Sequence, residues 1–200
     1  DRPMDAHIEV CGKNAVRGYR FSRGWADDQK IFFYAEFSKP FQNLEVIQKE
    51  KKIWEDEYKV MNIYARADFQ TKDAEQVMMK VGISPVSMKG ACANLRAEMP
   101  DWDFDGTVAQ AQRLWNDELG RIRIKTSDPD VRKIFYTALY HTMIAPSIFC
   151  DTDGAYRGAD GKSHQNPGYQ THTTFSLWDT YRAAMPLYSI FQTERYTDLL

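Results

Sequence analysis

Two short segments concentrate the side chains that could bind or act on a polar ligand. The first is a stretch rich in glycine and aspartate, about residues 151–173. In it Asp151, Asp153, Tyr156, Arg157, Asp160, His164 and Asn166 are interleaved with Gly154, Gly158, Gly161 and Gly168. Carboxylates, a guanidinium and an imidazole on one short run supply the donors and acceptors that a hydroxyl-rich ligand needs. A connection of this length in a compact domain is usually functional or mobile, and a flexible surface excursion is the plainer alternative. Asp151-Thr152-Asp153-Gly154 invites a calcium reading, yet the EF-hand order needs an oxygen ligand where Ala155 stands and glycine where Tyr156 stands. That motif fails, although ligands for a hard cation gathered from several segments would leave no trace in spacing.

The second segment is Trp178-Asp179-Thr180-Tyr181-Arg182. On a helix Asp179 and Arg182 fall three apart, so the plain account is an intrahelical ion pair worth a few tenths of a kcal/mol. The sharper account places the glycine-rich loop and the start of this helix at one end of a helical hairpin, facing one cavity. Trp178 then offers an apolar platform for a sugar ring, while Asp179 and Arg182 bond adjacent hydroxyls. Neither group is a convincing general acid. The histidines, His7, His141, His164 and His172, show no His-Glu-x-x-His spacing, which disfavours a helical zinc site. No phosphate-binding glycine loop and no Gly-x-Ser-x-Gly elbow occurs, so nucleotide and α/β-hydrolase chemistry drop out.

Composition bounds the rest. The chain has 200 residues, 43% hydrophobic and 27% charged, which is the profile of a globular protein rather than a disordered one. A net charge of −2 gives no field to hold a nucleic-acid backbone or an anionic membrane, and no apolar run approaches the roughly 20 residues that span a bilayer. Asp1-Arg2-Pro3-Met4-Asp5 carries neither an initiator methionine nor an apolar signal core, so residues alone assign no compartment. Cys11, Cys92 and Cys150 are too scattered for a disulfide scaffold and read as small interior hydrophobes. Aromatic residues make 14% of the chain, a share that suits either sugar binding or a thick sandwich core.

The elements that must hold the two segments follow from periodicity. Gly18–Phe21, Ile31–Phe37, Val60–Ala67 and Gln76–Ile83 are β-branched or aromatic runs bounded by turn residues, and they predict a sandwich over the first hundred positions. Lys49–Lys52 followed by Glu55-Asp56-Glu57 cancels its own charge and reads as a solvated hairpin or loop. From Met88 the period changes to three and four: Met88, Cys92, Leu95 and Met99 predict a short helix ending at Pro100, and Val108, Ala111, Trp115, Leu119 and Ile122 a linking helix. Asp128-Pro129-Asp130 is the clearest helix start, opening a face of Val131, Ile134, Phe135, Ala138, Leu139, Thr142 and Met143 that Pro146 ends. A further apolar helical run opens at Phe175 and is kinked or divided by Pro186, and Thr193–Leu200 begins another helix.

Three blocks in this order and spacing resemble the glycoside hydrolase family 92 α-mannosidases: Phe135–Thr142, Asp151–Gly158 and Phe175–Arg182. Ile31–Phe41, Val81–Ser84 and Pro100–Asp105 also look like this family, so the resemblance covers nearly the whole chain. It implies a partial antiparallel β-sandwich followed by the first helices of an (α/α)6 barrel, with residues 1–100 in the sandwich, 101–127 as a linker with a helix, and 128–200 starting the catalytic domain. It implies calcium-aided, inverting release of terminal α-linked mannose from mannose-containing glycans, in a secreted or periplasmic setting. Trp178 and Asp179 would contact the mannose that is cleaved off, with Arg182 beside them, and Asp153, Tyr156 and Arg157 would line the mouth. The family's general acid and base, with most calcium ligands, are expected in later segments than these, so no catalytic acid or base is assigned here. A non-catalytic carbohydrate-binding or assembly module is the competing class.

Overall fold

The computed structural model describes residues 2–52, 59–165 and 167–200. The chain forms two compact units, Asp1–Trp102 with Cys150–Asn166, and Asp103–Phe149 with Pro167–Leu200.

The first unit is built on antiparallel strands. β1 (Arg2–Cys11), β2 (Ala15–Arg23), β3 (Gln29–Phe37) and β6 (Met79–Ser84) form one sheet in the order β1-β2-β3-β6, and β4 (Asn43–Lys52) pairs with β5 (Lys59–Asp68). Glu55, Asp56 and Glu57 lie outside the described residues. β1 and β4 are strands that the periodicity reading passed over. In β1 the alternation is present but polar: Asp5, His7 and Glu9 lie on one face and Ala6, Ile8 and Val10 on the other. His7 stands opposite Tyr19 and stacks on it at 5.6 Å, Tyr19 stacks on Phe21 at 4.4 Å, and Arg17 donates to Glu9 at 2.5 Å. Aromatic and charged cross-strand pairs of this kind stabilise a sheet by amounts that a hydropathy pattern does not register. Gly12, at φ +74°, makes the turn into β2.

Helix α1 (Met88–Glu98) lies on the same face of the sheet. Ser87 caps it by accepting from the Gly90 N–H at 2.9 Å. Ala91 and Leu95, 0% and 2% exposed, meet Ala15 and Tyr34 across the interface, with Cys11 and Cys92 half-buried beside them as free thiols. Close approach depends on Gly82, the partner of Tyr34 in the β3–β6 ladder. A Cβ there would fall 2.3 Å from the Ala91 carbonyl oxygen and 2.8 Å from Leu95 Cβ. Lys80 closes the edge, donating to the Met99 and Pro100 carbonyls and lying 4.4 Å over the Trp102 ring.

The second unit is helical. α2 (Phe104–Leu119) starts on Asp103, which accepts from the Gly106 N–H, and it ends at Gly120, short of Ile122. α3 (Pro129–Ile144) starts as its sequence predicts: Asp128 accepts from the Asp130 N–H at 2.8 Å and the Val131 N–H at 3.3 Å, with Pro129 in the first turn. Of the apolar face expected on α3, Leu139 and Met143 are buried, while Val131 and Ile134 are exposed. The expected long run from Phe175 is two pieces, α4 (Leu177–Thr180) and α5 (Ala184–Phe191), before α6 (Thr193–Leu199). Pro186 is the reason. In a continuous helix its ring would clash with the carbonyl of residue 182, so the chain breaks at Tyr181–Ala183 and restarts with Pro186 in the first turn, where an absent N–H costs nothing. Tyr188, 2% exposed, ties α5 to α3 by donating to the Thr142 and Ala145 carbonyls. Residues 147–149 and 171–173 pair as a short ladder through Phe149 N–H to Thr171 O at 2.7 Å and Thr173 N–H to Ser147 O at 2.8 Å.

Two outcomes follow. Gly82→Ala must push α1 off the sheet, and the protein should lose about 1–3 kcal/mol in urea denaturation. His172, bridged to Ile148, is held below the ordinary imidazole range chiefly by burial. The folded state therefore prefers the neutral ring: its contribution is present above the unfolded value of about 6.5 and is lost as pH falls below that through the folded value. Unfolding free energy should fall between pH 7.5 and 5.5, and His172→Gln should flatten that dependence.

Candidate active site

The glycine-rich stretch is folded, not a free excursion. β7 (Tyr156–Arg157) and β8 (Ser163–His164) pair as a small hairpin, and Gly161, at φ +73°, makes its turn. Asn166 lies outside the described residues. At the base Asp151, 5% exposed, points inward rather than to solvent. Its carboxyl accepts from Ser84 Oγ at 2.8 Å and from Asn94 Nδ2 at 2.9 Å. Asn94 also donates to the Ile83 carbonyl, and its Oδ1 accepts from the Thr152 N–H at 2.9 Å and Thr152 Oγ1 at 3.1 Å. Ser84 accepts in turn from the Val86 and Ser87 N–H groups. Gly90 makes the cradle, because a Cβ there would stand 2.1 Å from Asp151 Oδ2. Ser84 and Asn94 were invisible as site-supporting residues in the sequence, since each reads as part of a strand end or a helix and their partner is 57 or more positions away.

The residues expected to line the mouth follow this base within the first unit. Asp153 Oδ1 accepts from the Ala155 N–H at 3.0 Å, shaping the turn, and its carbonyl accepts from Gln165 Nε2. Arg157 is a second anchor: Nε donates to the Pro85 carbonyl at 2.9 Å and Nη1 to the Gly161 carbonyl at 2.8 Å. Tyr156 stacks on its cross-strand partner His164 at 5.4 Å. His164 Nε2 hydrogen-bonds both Asp160 oxygens, at 2.9 and 3.1 Å, and this bond, helped by the Lys162 N–H, holds the Asp160 carboxyl below the usual carboxylate range.

Trp178, Asp179 and Arg182 belong to the second unit. α4 has four residues, so Arg182 lies past its end, and the expected Asp179–Arg182 ion pair does not form. Arg182 instead donates to Tyr181 Oη at 2.5 Å and lies 5.3 Å from that ring. Among the described residues no hydrogen bond or ion pair reaches the exposed Asp179 carboxylate, and the neighbouring Trp178 ring is 81% exposed. An indole beside an unengaged carboxylate can stack on an apolar ring face and accept from hydroxyls at its edge. Calcium fits less well. Among the described residues no three His, Cys, Asp or Glu side chains gather as a metal site, and Asp151 is already engaged by Ser84 and Asn94.

Residues 90–200 match the glycosyl hydrolase family 92 catalytic domain, and residues 1–84 match the glycosyl hydrolase family 92 N-terminal domain. The chain belongs to glycosyl hydrolase family 92. It superposes over 97% of its length on the family GH92 α-mannosidase BT3965 from Bacteroides thetaiotaomicron, with a TM-score of 0.87 and 33% identity, and covers 27% of that chain. That mannosidase is also known in complex with mannoimidazole. The family GH92 inverting mannosidase BT2199 from the same organism shares the fold at a TM-score of 0.74 and 24% identity, over 92% of this chain and 26% of its own. An uncharacterized secreted glycosidase of Arthroderma benhamiae is 30% identical over 90 residues, which is 43% of this chain and 12% of the relative. Antiparallel sheet followed by helices is the shared architecture. Among the described residues no helix is long and apolar enough to cross a membrane.

Proposed function

We propose that this chain is the sheet-to-helix portion of an exo-acting α-mannosidase that releases terminal α-linked mannose from glycans with inversion. The observation that carries the reading is the unengaged Asp179 carboxylate beside the exposed Trp178 ring. Among the described residues neither side chain is paired or packed, which leaves both open to a ligand. In the proposal Trp178 stacks on the cleaved mannose and Asp179 accepts from its hydroxyls, with Arg182 beside them. Asp153, Tyr156 and Arg157 line the mouth. Arg157 does so largely through the backbone it fixes, because its guanidinium is committed to two carbonyls. The α-mannosidase with 33% identity, known in complex with mannoimidazole, supports mannose as the sugar, and the relative described as a secreted glycosidase supports secretion.

Inverting hydrolysis uses one carboxyl as acid and a second as base, about 6.5–9.5 Å apart with a water between. We assign neither to these residues. Calcium is proposed for the whole protein with its ligands supplied elsewhere, and no step here runs through it.

Asp179→Ala in the full-length protein tests the reading. Losing a charge-assisted hydrogen bond to substrate removes about 1.5–3 kcal/mol, so kcat/KM on an α-mannoside should fall at least tenfold while the melting temperature stays within a degree or two. Unchanged efficiency on a saturable substrate would remove Asp179 from the site. Mannoside binding without turnover in the unsubstituted protein would favour the non-catalytic binding module.

A further inference from the structure

We propose that Asp151 is a positioning residue for glycan binding: through Ser84 and Asn94 it holds the 152–165 loop in one conformation against β6 and α1. The inference rests on the reading of Asp153, Tyr156 and Arg157 as the mouth of the glycan site.

Four observations carry it. Asp151 is 5% exposed, and its partners Asn94 and Ser84 are 6% and 2% exposed, so the three groups are engaged with one another and not with water. Every polar atom of the cluster has a defined job. The carboxyl takes one donor from a strand end and one from a helix, and Asn94 Oδ1 grips the loop again through Thr152 N–H and Oγ1. Gly90 leaves the space that the carboxyl occupies, so the cradle is shaped to its guest. Finally the anchors bracket the residues they would position. Asp151 precedes Asp153 and Tyr156, Arg157 on the Pro85 carbonyl follows them, and both reach the same 84–85 turn.

A carboxyl that served stability alone would need no loop attached to it. Here Asp151 also takes the loop's own hydrogen bonds: its N–H donates to the Ala155 carbonyl at 2.7 Å and its carbonyl accepts from the Gly154 N–H at 2.8 Å. Those two bonds are backbone bonds that close the turn on itself, and the side chain ties the closed turn to β6 and α1; releasing it unties a turn whose next residues would meet the sugars beyond the scissile bond. Contacts of that kind bind ground state and transition state alike, so their loss raises KM and spares kcat.

The experiment uses the full-length enzyme with Asp151→Ala and, in case that variant does not fold, the near-isosteric Asp151→Asn. Two readouts are taken well below the melting temperature: amide hydrogen exchange, and KM and kcat on an α-linked mannobiose and on an aryl α-mannoside that lacks the second sugar. The expected result is exchange at least tenfold faster at Gly154, Ala155 and Gly158, with β3 unchanged. KM for the mannobiose should rise at least tenfold with kcat within threefold, and KM for the aryl mannoside should hold. A merely structural role predicts instead an equal drop in apparent kcat on both substrates with both KM values unchanged, and that overturns the proposal. Unchanged loop exchange overturns the clamp itself. Faster loop exchange with no kinetic change overturns the positioning role and removes the loop from the mouth, while the Asp179→Ala result still judges the contact to the cleaved sugar.

Discussion

Two glycines allow the sheet, the first helix and the polar loop to meet at one place. Gly82 lets the α1 backbone approach β6 until Ala91 and Leu95 reach Tyr34, and Gly90, on the facing side of that helix, leaves room for the Asp151 carboxyl. Without the first approach the Ser84 hydroxyl and the Asn94 amide would not converge, since one sits at the end of β6 and the other in the second turn of α1. The hydrogen bonds at 2.8 and 2.9 Å are thus a consequence of close backbone packing, and burying them is tolerable only because each donor and acceptor is satisfied. The cluster ties the start of the loop that carries Asp153, Tyr156 and Arg157 to β6 and α1.

What was legible in the sequence is what local chemistry decides. Asp128-Pro129-Asp130 announces a helix start because cap, fixed φ and dipole act within one turn, and α3 begins there. Aromatic and β-branched runs announce β2, β3 and β5 for the same reason. β1 escaped notice because its alternation is written in Asp5, His7 and Glu9, whose partners lie across the sheet on Tyr19, Arg17 and Phe21. Pro186 was correctly a break, but its effect falls four residues earlier, where the clashing carbonyl is, and so the helix was placed across the gap.

The candidate site shows the same division. Trp178 and Asp179 stand out by residue type alone, and the structure leaves both facing outward without protein partners among the described residues. Their competing explanation, a pair with Arg182, needed three residues of helix after Asp179, and α4 ends too soon to give them. Asp151 is the opposite case. Its setting among glycines and aspartates suggested an exposed ligand-binding group, whereas contacts 57 and 67 positions away in sequence bury it. Spacing along a chain carries no information about such partners.

The clamp also has an energetic logic. Fixing the backbone of a flexible residue costs about 1–2 kcal/mol, and a binding loop that orders only when its ligand arrives draws that cost from affinity. Between Thr152 and His164 the loop is fixed by Asp153 on Ala155, by Arg157 on Pro85 and Gly161, and by Asp160 on His164 and Lys162. In the proposed site much of the ordering is therefore complete before any sugar binds. A neutral sugar offers no strong Coulombic attraction to offset ordering at the moment of contact. Recognition of such a ligand favours groups already in place, which is the arrangement that the proposal assigns to the buried Asp151 side chain and not to a charge at the surface.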